Sequence, residues 1–348
     1  MSESQNRQPW AQRKVTDNMP IIIGGIIPPV VSALIGILAG LDFSIVLVVL
    51  FLPLQLISAA IVGFTMSGKR GLKDAILIFL AIFFSTTVVV LLLSVLVSII
   101  FQGAQAITPQ FISQNNVYIS NTTSLEYGGV GHAIVGTLLI VLLTTIAAVP
   151  LGIAMAVYLT QSEAKHKSLV RTVTQALSGL PSVVSGLFIL AFMGFVGLER
   201  SGLTGALALF PLMLPTVARV AEESLRLVPS DLRLAALALG APNYRAFFQV
   251  ILPAAKSGII TALLLGLARV VGETAPLILT INANNGTNLN PFAGGIATLP
   301  TYVYGFLGST YVTSQARAWG GALVLLILVG ILFGTARIVS RKNRKKAK

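Results

Sequence analysis

The chain has 348 residues, 55% of them apolar and only 10% charged, with a mean hydropathy of +0.88 and a net charge of +13. Soluble globular domains carry roughly 25% charged residues, so there is too little charge here to cover a water-facing surface. The same figures exclude a disordered chain, and the absence of cysteine excludes disulfide scaffolds and thiolate metal sites.

About 20 consecutive apolar residues cross a bilayer as a helix. Eight such runs predict an all-α polytopic membrane protein: residues 20–39, 45–64, 75–101, 133–159, 172–197, 203–220, 258–281 and 319–339. The runs are continuous rather than alternating, which argues against membrane strands. The first run contains Pro28 and Pro29. The sixth is short and contains Pro211 and Pro215, which predict a bent or broken helix. Residues 1–74 form a polar tail plus the first two spans, joined by a tight turn at residues 40–44. The first core span and its outer loop follow at 75–131, then a membrane domain at 132–340, and residues 341–348 form a basic tail.

Charge sets orientation. Of the 24 Lys and Arg residues, 21 fall in the tails and in the loops around Lys69, Lys165 and Arg233, all on one side of an eight-span topology. Only Arg200 and Arg317 fall in the alternate loops, and Arg269 falls inside a span. The positive-inside rule places both termini in the cytoplasm of a plasma or inner membrane. The first 19 residues are polar and no small-residue cleavage pattern follows, so no cleavable signal is expected.

No catalytic constellation stands out. Gly63 to Lys69 approaches a phosphate-binding loop, but Arg70 stands where Ser or Thr would hold magnesium, and the segment ends a membrane span instead of following a strand. His132 and His166 fall on opposite sides of the membrane, so they cannot share a metal. The chain is expected to be no enzyme, with no metal and no cofactor of its own.

Two segments are informative. The loop 221–256 carries Leu232, Ala235, Ala236 and Leu239 at helical spacing. Gly240 and Pro242 mark a helix end, and a second amphipathic segment containing Phe247, Phe248, Val250 and Ile251 is closed by Leu252 and Pro253. A bare connection needs only a few residues. A helix-turn-helix of this length suits docking to a soluble partner. The second segment lies in the seventh span, where Arg269 and Glu273 interrupt an apolar run. An arginine at mid-membrane costs about 2.5–3.5 kcal/mol on insertion scales, and such residues face a bundle interior or a water-filled path. Spaced i, i+4, the two side chains are expected to share a helix face and form an ion pair. An arginine offers a rigid fork of donors suited to phosphate or carboxylate, which predicts an anion path with Arg269 as contact and Glu273 as its partner. A structural pair between helices is the alternative.

The spacing of Ala235, Ala236, Gly240, Val250, Leu252 and Pro253 resembles the EAA loop of ABC importer permeases, with Leu234 where that motif usually has Glu. The stretch from Arg269 through Pro276 resembles the phosphate-importer branch of that family, the PstA-type permeases. Gly128 to Thr137, Pro150 to Ile153 and Leu180 to Gly186 are similar to segments of the same branch. The resemblance covers residue 75 to the end. It implies a type I ABC importer permease core of six spans, with residues 20–64 as an added two-helix hairpin. It also implies inorganic phosphate import by alternating access, driven by ATP and Mg used in a partner ATPase. The implied partners are a second permease subunit, an ATPase dimer and an external phosphate-binding protein. Arg269, Glu273, Thr274 and Ser182 become the implied substrate path. Ala235, Ala236, Gly240, Leu252 and Pro253 become the coupling contact with the ATPase. The remaining alternatives are an ABC permease for another oxyanion or solute and an ATP-independent secondary transporter.

Overall fold

The computed structural model describes residues 19–162 and 165–345, and all of its regular structure is helical. The basic residues Arg7, Arg13, Lys14, Lys346 and Lys348 lie outside the described residues. The chain divides into two compact units, Met1–Leu96 and Val97–Lys348.

In the first unit α1 is Met19–Ala39, and Gly40 (φ +61°) turns the chain without the steric cost a Cβ would bring. A 62-residue helical run, Phe43–Ala104, follows. At 1.5 Å per residue that is far longer than a bilayer crossing. The run reverses at Ser67 and Gly68, whose backbones are non-helical (Gly68 φ +60°), giving α2 (43–66) and α3 (69–104). The reversal is tight because Gly63 and Gly71 meet backbone to backbone, and a Cβ on either would overlap the other's carbonyl. The segment that approaches a phosphate-binding loop is therefore a helix reversal. The two spans expected at 45–64 and 75–101 are both present. Within α1, Pro28 and Pro29 are accommodated in a continuous helix. The hydroxyl of Ser32 donates to the Pro28 carbonyl (2.7 Å). The Ser58 hydroxyl of α2 donates to the Gly24 carbonyl of α1 (2.7 Å).

The second unit continues with α4 (Pro109–Ser113), α5 (Gly131–Gln161), α6 (Lys167–Ser178) and α7 (Ser182–Val196). Next come α8 (Gly202–Arg226), α9 (Ser230–Ala238) and α10 (Asn243–Val271), then α11 (Ala275–Thr280), α12 (Leu299–Leu307) and α13 (Val312–Lys345). The expected fifth span is bent by 104° between α6 and α7, at Gly179 to Pro181. Pro181 has no N–H to donate, and its ring would strike the carbonyl of Leu177 in a straight helix.

The largest departure is at the sixth span. Pro211 and Pro215 leave α8 as one 25-residue helix, the most buried of the membrane helices: 61% of its apolar window is enclosed. Leu209, Leu212, Met213, Val217 and Ala218 are fully buried. Neighbouring helices approach α8 through residues without side chains. A Cβ on Gly152 of α5 or Gly266 of α10 would press on Val217, and one on Gly205 of α8 would press on Ile281. In lipid, close packing of small residues holds helices together where the hydrophobic effect cannot. Tight packing along most of its length holds α8 together despite its prolines.

The coupling region also differs from expectation. Leu252 and Pro253 do not close the second amphipathic segment. They lie inside α10, which runs unbroken from Asn243 to Val271. A π-helical stretch, Phe247–Ile251, ends two residues before Pro253. The wider turn relieves the clash between the proline ring and the preceding turn. The same arrangement occurs in α2, where a π-helical Val46–Phe51 precedes Pro53.

Candidate substrate path and coupling hairpin

The seventh span is not a continuous helix. α10 ends at Val271, with Gly272 as its cap, and α11 starts at Ala275 with Pro276 in its first turn. A straight helix would drive the Pro276 ring into the carbonyl of Gly272, so the break falls between Arg269 and Glu273. The i, i+4 geometry that would pair them is lost. Arg269 sits half-buried in the last turn of α10, where the helix dipole favours a cation. Its Nη1 donates to the Thr216 hydroxyl of α8 at 3.2 Å. The Thr216 hydroxyl in turn donates to the Leu212 carbonyl at 3.3 Å, leaving its lone pairs for the guanidinium. Glu273 is half-buried just beyond the helix. Its backbone N–H donates to the Val270 carbonyl (3.3 Å), and its carboxylate has no partner among the described residues. The expected Arg269–Glu273 ion pair is therefore replaced by a bridge from Arg269 to α8. The other N–H donors of Arg269 are unengaged among the described residues.

Thr274 immediately precedes α11, without a capping bond from its side chain, and Ser182 opens α7. The two elements pack where Gly186 of α7 meets Pro276 of α11, closely enough that a Cβ on Gly186 would crowd the proline. The Ser185 hydroxyl of α7 donates to the Ala208 carbonyl of α8 (2.6 Å), tying this end of α7 to the central helix. The break carrying Glu273 and Thr274 and the start of α7 thus belong to one packed region around α8. No bond joins Ser182, Thr274, Glu273 and Arg269 to one another among the described residues.

The helix-turn-helix expected at the coupling loop is present. α9 ends at Ala238, Gly240 (φ +81°) reverses the chain, and Pro242 precedes α10. The Gly240 and Ala241 N–H groups close the turn on the carbonyls of Leu237 and Ala236 (2.9 and 3.1 Å). Ala236 is buried against the hairpin's inner side, while Leu239 is 89% exposed and Leu234, Tyr244 and Phe248 are also exposed. Ala235 and Pro253 are exposed and Leu252 is half-buried. The hairpin shows an apolar outer surface.

Two arginines carry bonds that sequence reasoning missed. Arg171 of α6 reaches Glu222 of α8 at 3.0 Å. Arg317, which the topology places in an outer loop, is fully buried in α13. Its Nη2 donates to the carbonyls of Thr123, Ser124 and Tyr127 at 3.2, 2.8 and 2.8 Å, fastening the outer loop to the last helix. Nothing local in the sequence marks either contact, since the partners are 51 or more residues apart.

Helices that present apolar residues outward, a hairpin projecting from them and an arginine inside a helix bundle define a polytopic membrane transport component. The family of binding-protein-dependent transport system inner membrane components matches residues 148–345, and the chain belongs to that family. The phosphate transport system permease protein PstA 1 of Mycobacterium tuberculosis H37Rv is 40% identical over 223 residues, covering 63% of this chain and 72% of that protein. PstA of Pasteurella multocida Pm70 is 33% identical over 282 residues, covering 79% and 97%. Among solved structures, the inward-facing MetNI methionine ABC transporter is 20% identical with a TM-score of 0.47, covering 62% of this chain and 94% of that one.

Proposed function

We propose that this chain is the permease subunit of an ATP-driven phosphate importer. Its relatives are named phosphate transport system permease proteins, and the Arg269–Thr216 bridge is the observation that gives the reading chemistry. The bridge holds one edge of the guanidinium against α8 and leaves donors free for an oxyanion. A planar fork of N–H groups matches two phosphate oxygens at once. No bond is made or broken in transport, so the task of Arg269 is to offset desolvation as the anion leaves water. Glu273, unpaired four residues further on, would disfavour a second anion and keep the path from holding phosphate too tightly. Ser182 and Thr274 add neutral donors on the same packed region.

The chain itself uses no ATP. A partner ATPase, with ATP and Mg, would receive the Ala235–Gly240 hairpin through Leu239 and its exposed neighbours. Leu252 and Pro253 would transmit the push along α10 to Arg269, because the hairpin's second arm and the arginine share that helix. A second permease subunit and an external phosphate-binding protein would complete the assembly, and both termini would lie in the cytoplasm. Uptake of labelled phosphate by the assembled importer, challenged with sulfate and molybdate, tests the substrate. Phosphate alone should compete at low concentration. Equal competition by sulfate would assign another oxyanion.

A further inference from the structure

A pocket of about 440 Å³ lies between α6 and α8, beside the end of α5. It is lined by Arg171, Arg219 and Arg226 together with Thr174, Gln175 and Ser178. Two carboxylates, Glu222 and Glu223, also line it. Glu222 is 15% exposed, and one of its oxygens accepts from Arg171 (3.0 Å) and Arg226 (2.7 Å). The Nε of Arg219 reaches Glu223 at 3.4 Å. Glu222 thus acts as a post that points two guanidiniums into one space. Each arginine is bonded through a single nitrogen, so donors outnumber acceptors.

The amphipathic helix α6 explains where this pocket sits. Arg171, Thr174, Gln175 and Ser178 recur at i, i+3, i+4 and i+7 and face the pocket. Leu169 and Val173 are exposed on another face, at 62% and 46%. Turning apolar residues outward and polar residues inward is unfavourable in water and favourable at a membrane surface. With Lys165 and Lys167 at its start, α6 has the charge pattern of a helix that sits at the level of headgroup phosphates. The 104° bend that lays α6 across the end of α7 fits the same placement.

We propose that this pocket is a binding site for a phosphate group, held by Arg171, Arg219 and Arg226 and oriented through Glu222. The group belongs either to an anionic phospholipid headgroup or to free inorganic phosphate. The site does not involve Arg269 and stands independently of the transport reading.

The test uses the permease co-purified with its ATPase in nanodiscs of phosphatidylcholine with or without phosphatidylglycerol. Phosphatidylglycerol retained per complex is counted by native mass spectrometry, and binding of labelled inorganic phosphate is measured in the phosphatidylcholine discs. In the Arg171→Gln/Arg219→Gln variant Glu222 keeps Arg226, so no buried carboxylate is stranded. Affinity for the bound group should fall about tenfold or more with the loss of two charge-assisted donors. Loss of phosphatidylglycerol with phosphate binding unchanged assigns the site to lipid. Loss of one phosphate site per complex with lipid unchanged assigns it to the free ion, since any phosphate held at Arg269 is retained. Wild-type binding of both probes in the variant overturns the proposal. If the double variant does not assemble, Arg219→Gln alone decides, because that side chain is 70% exposed and its removal leaves both bonds to Glu222.

Discussion

Arg269 and Thr216 are joined across the bundle by a 3.2 Å hydrogen bond between residues 53 positions apart. The bond ties the end of α10 to the middle of α8, the helix around which the unit is packed. The threonine hydroxyl spends its proton on its own helix and offers only lone pairs to the arginine. It therefore orients the guanidinium without competing for an anion.

Replacing Thr216 with valine keeps the shape and removes the acceptor. Arg269 then has no fixed edge, and phosphate uptake should fall about tenfold, equivalent to about 1.4 kcal/mol in the barrier. Thr216→Ser should retain uptake. Initial rates in vesicles containing the assembled importer measure both.

The hairpin turn depends on Gly240, whose φ of +81° is costly for any residue with a Cβ. Gly240→Ala should strain the turn by about 1–2 kcal/mol. Hydrogen exchange of the Gly240 and Ala241 amides should quicken, and less ATPase should co-purify. Unchanged exchange would mean that the turn tolerates the methyl group.

Gly136 of α5 lies against the backbone of Ala297, and a Cβ there would overlap the Ala297 carbonyl. The adjacent Thr137 hydroxyl accepts from the Leu299 N–H (2.8 Å), so this contact locks the segment leading into α12. Gly136→Ala should cost about 1–3 kcal/mol by overpacking. The midpoint of thermal unfolding in detergent should drop accordingly.

Arg317 satisfies three loop carbonyls from inside the fold. Arg317→Met should release the loop 120–127, seen as faster hydrogen exchange and proteolysis there. Arg317→Lys should not restore protection, because a lysine lacks the planar fork and carries a more strongly hydrated charge.

Most of the architecture was legible in the sequence because membrane spans announce themselves by length. The apolar runs, the Gly240–Pro242 turn and the reversal near Lys69 all follow from local composition. What escaped depended on tertiary contacts. Pro211 and Pro215 suggested a weak helix, yet Gly152, Gly205 and Gly266 let neighbours close on α8 and make it the core. The Arg269–Glu273 pairing assumed a straight helix, although Pro276, four residues beyond Gly272, already signalled the break. Thr216 could not have been singled out, since a threonine in an apolar run carries no mark of a partner in another helix. Leu252 and Pro253 suggested an end because a π-turn that admits proline leaves no sequence signature.

The central claim is that Arg269 carries the anion. Its most direct test is labelled phosphate uptake by Arg269→Gln, with co-purified ATPase as the control for assembly. Glutamine keeps a neutral polar side chain but is two bonds shorter than arginine, so the bundle should remain intact while the charge and the planar fork are lost. The account predicts uptake at background with ATPase recovered at the wild-type level. Wild-type uptake by an assembled Arg269→Gln importer would contradict it.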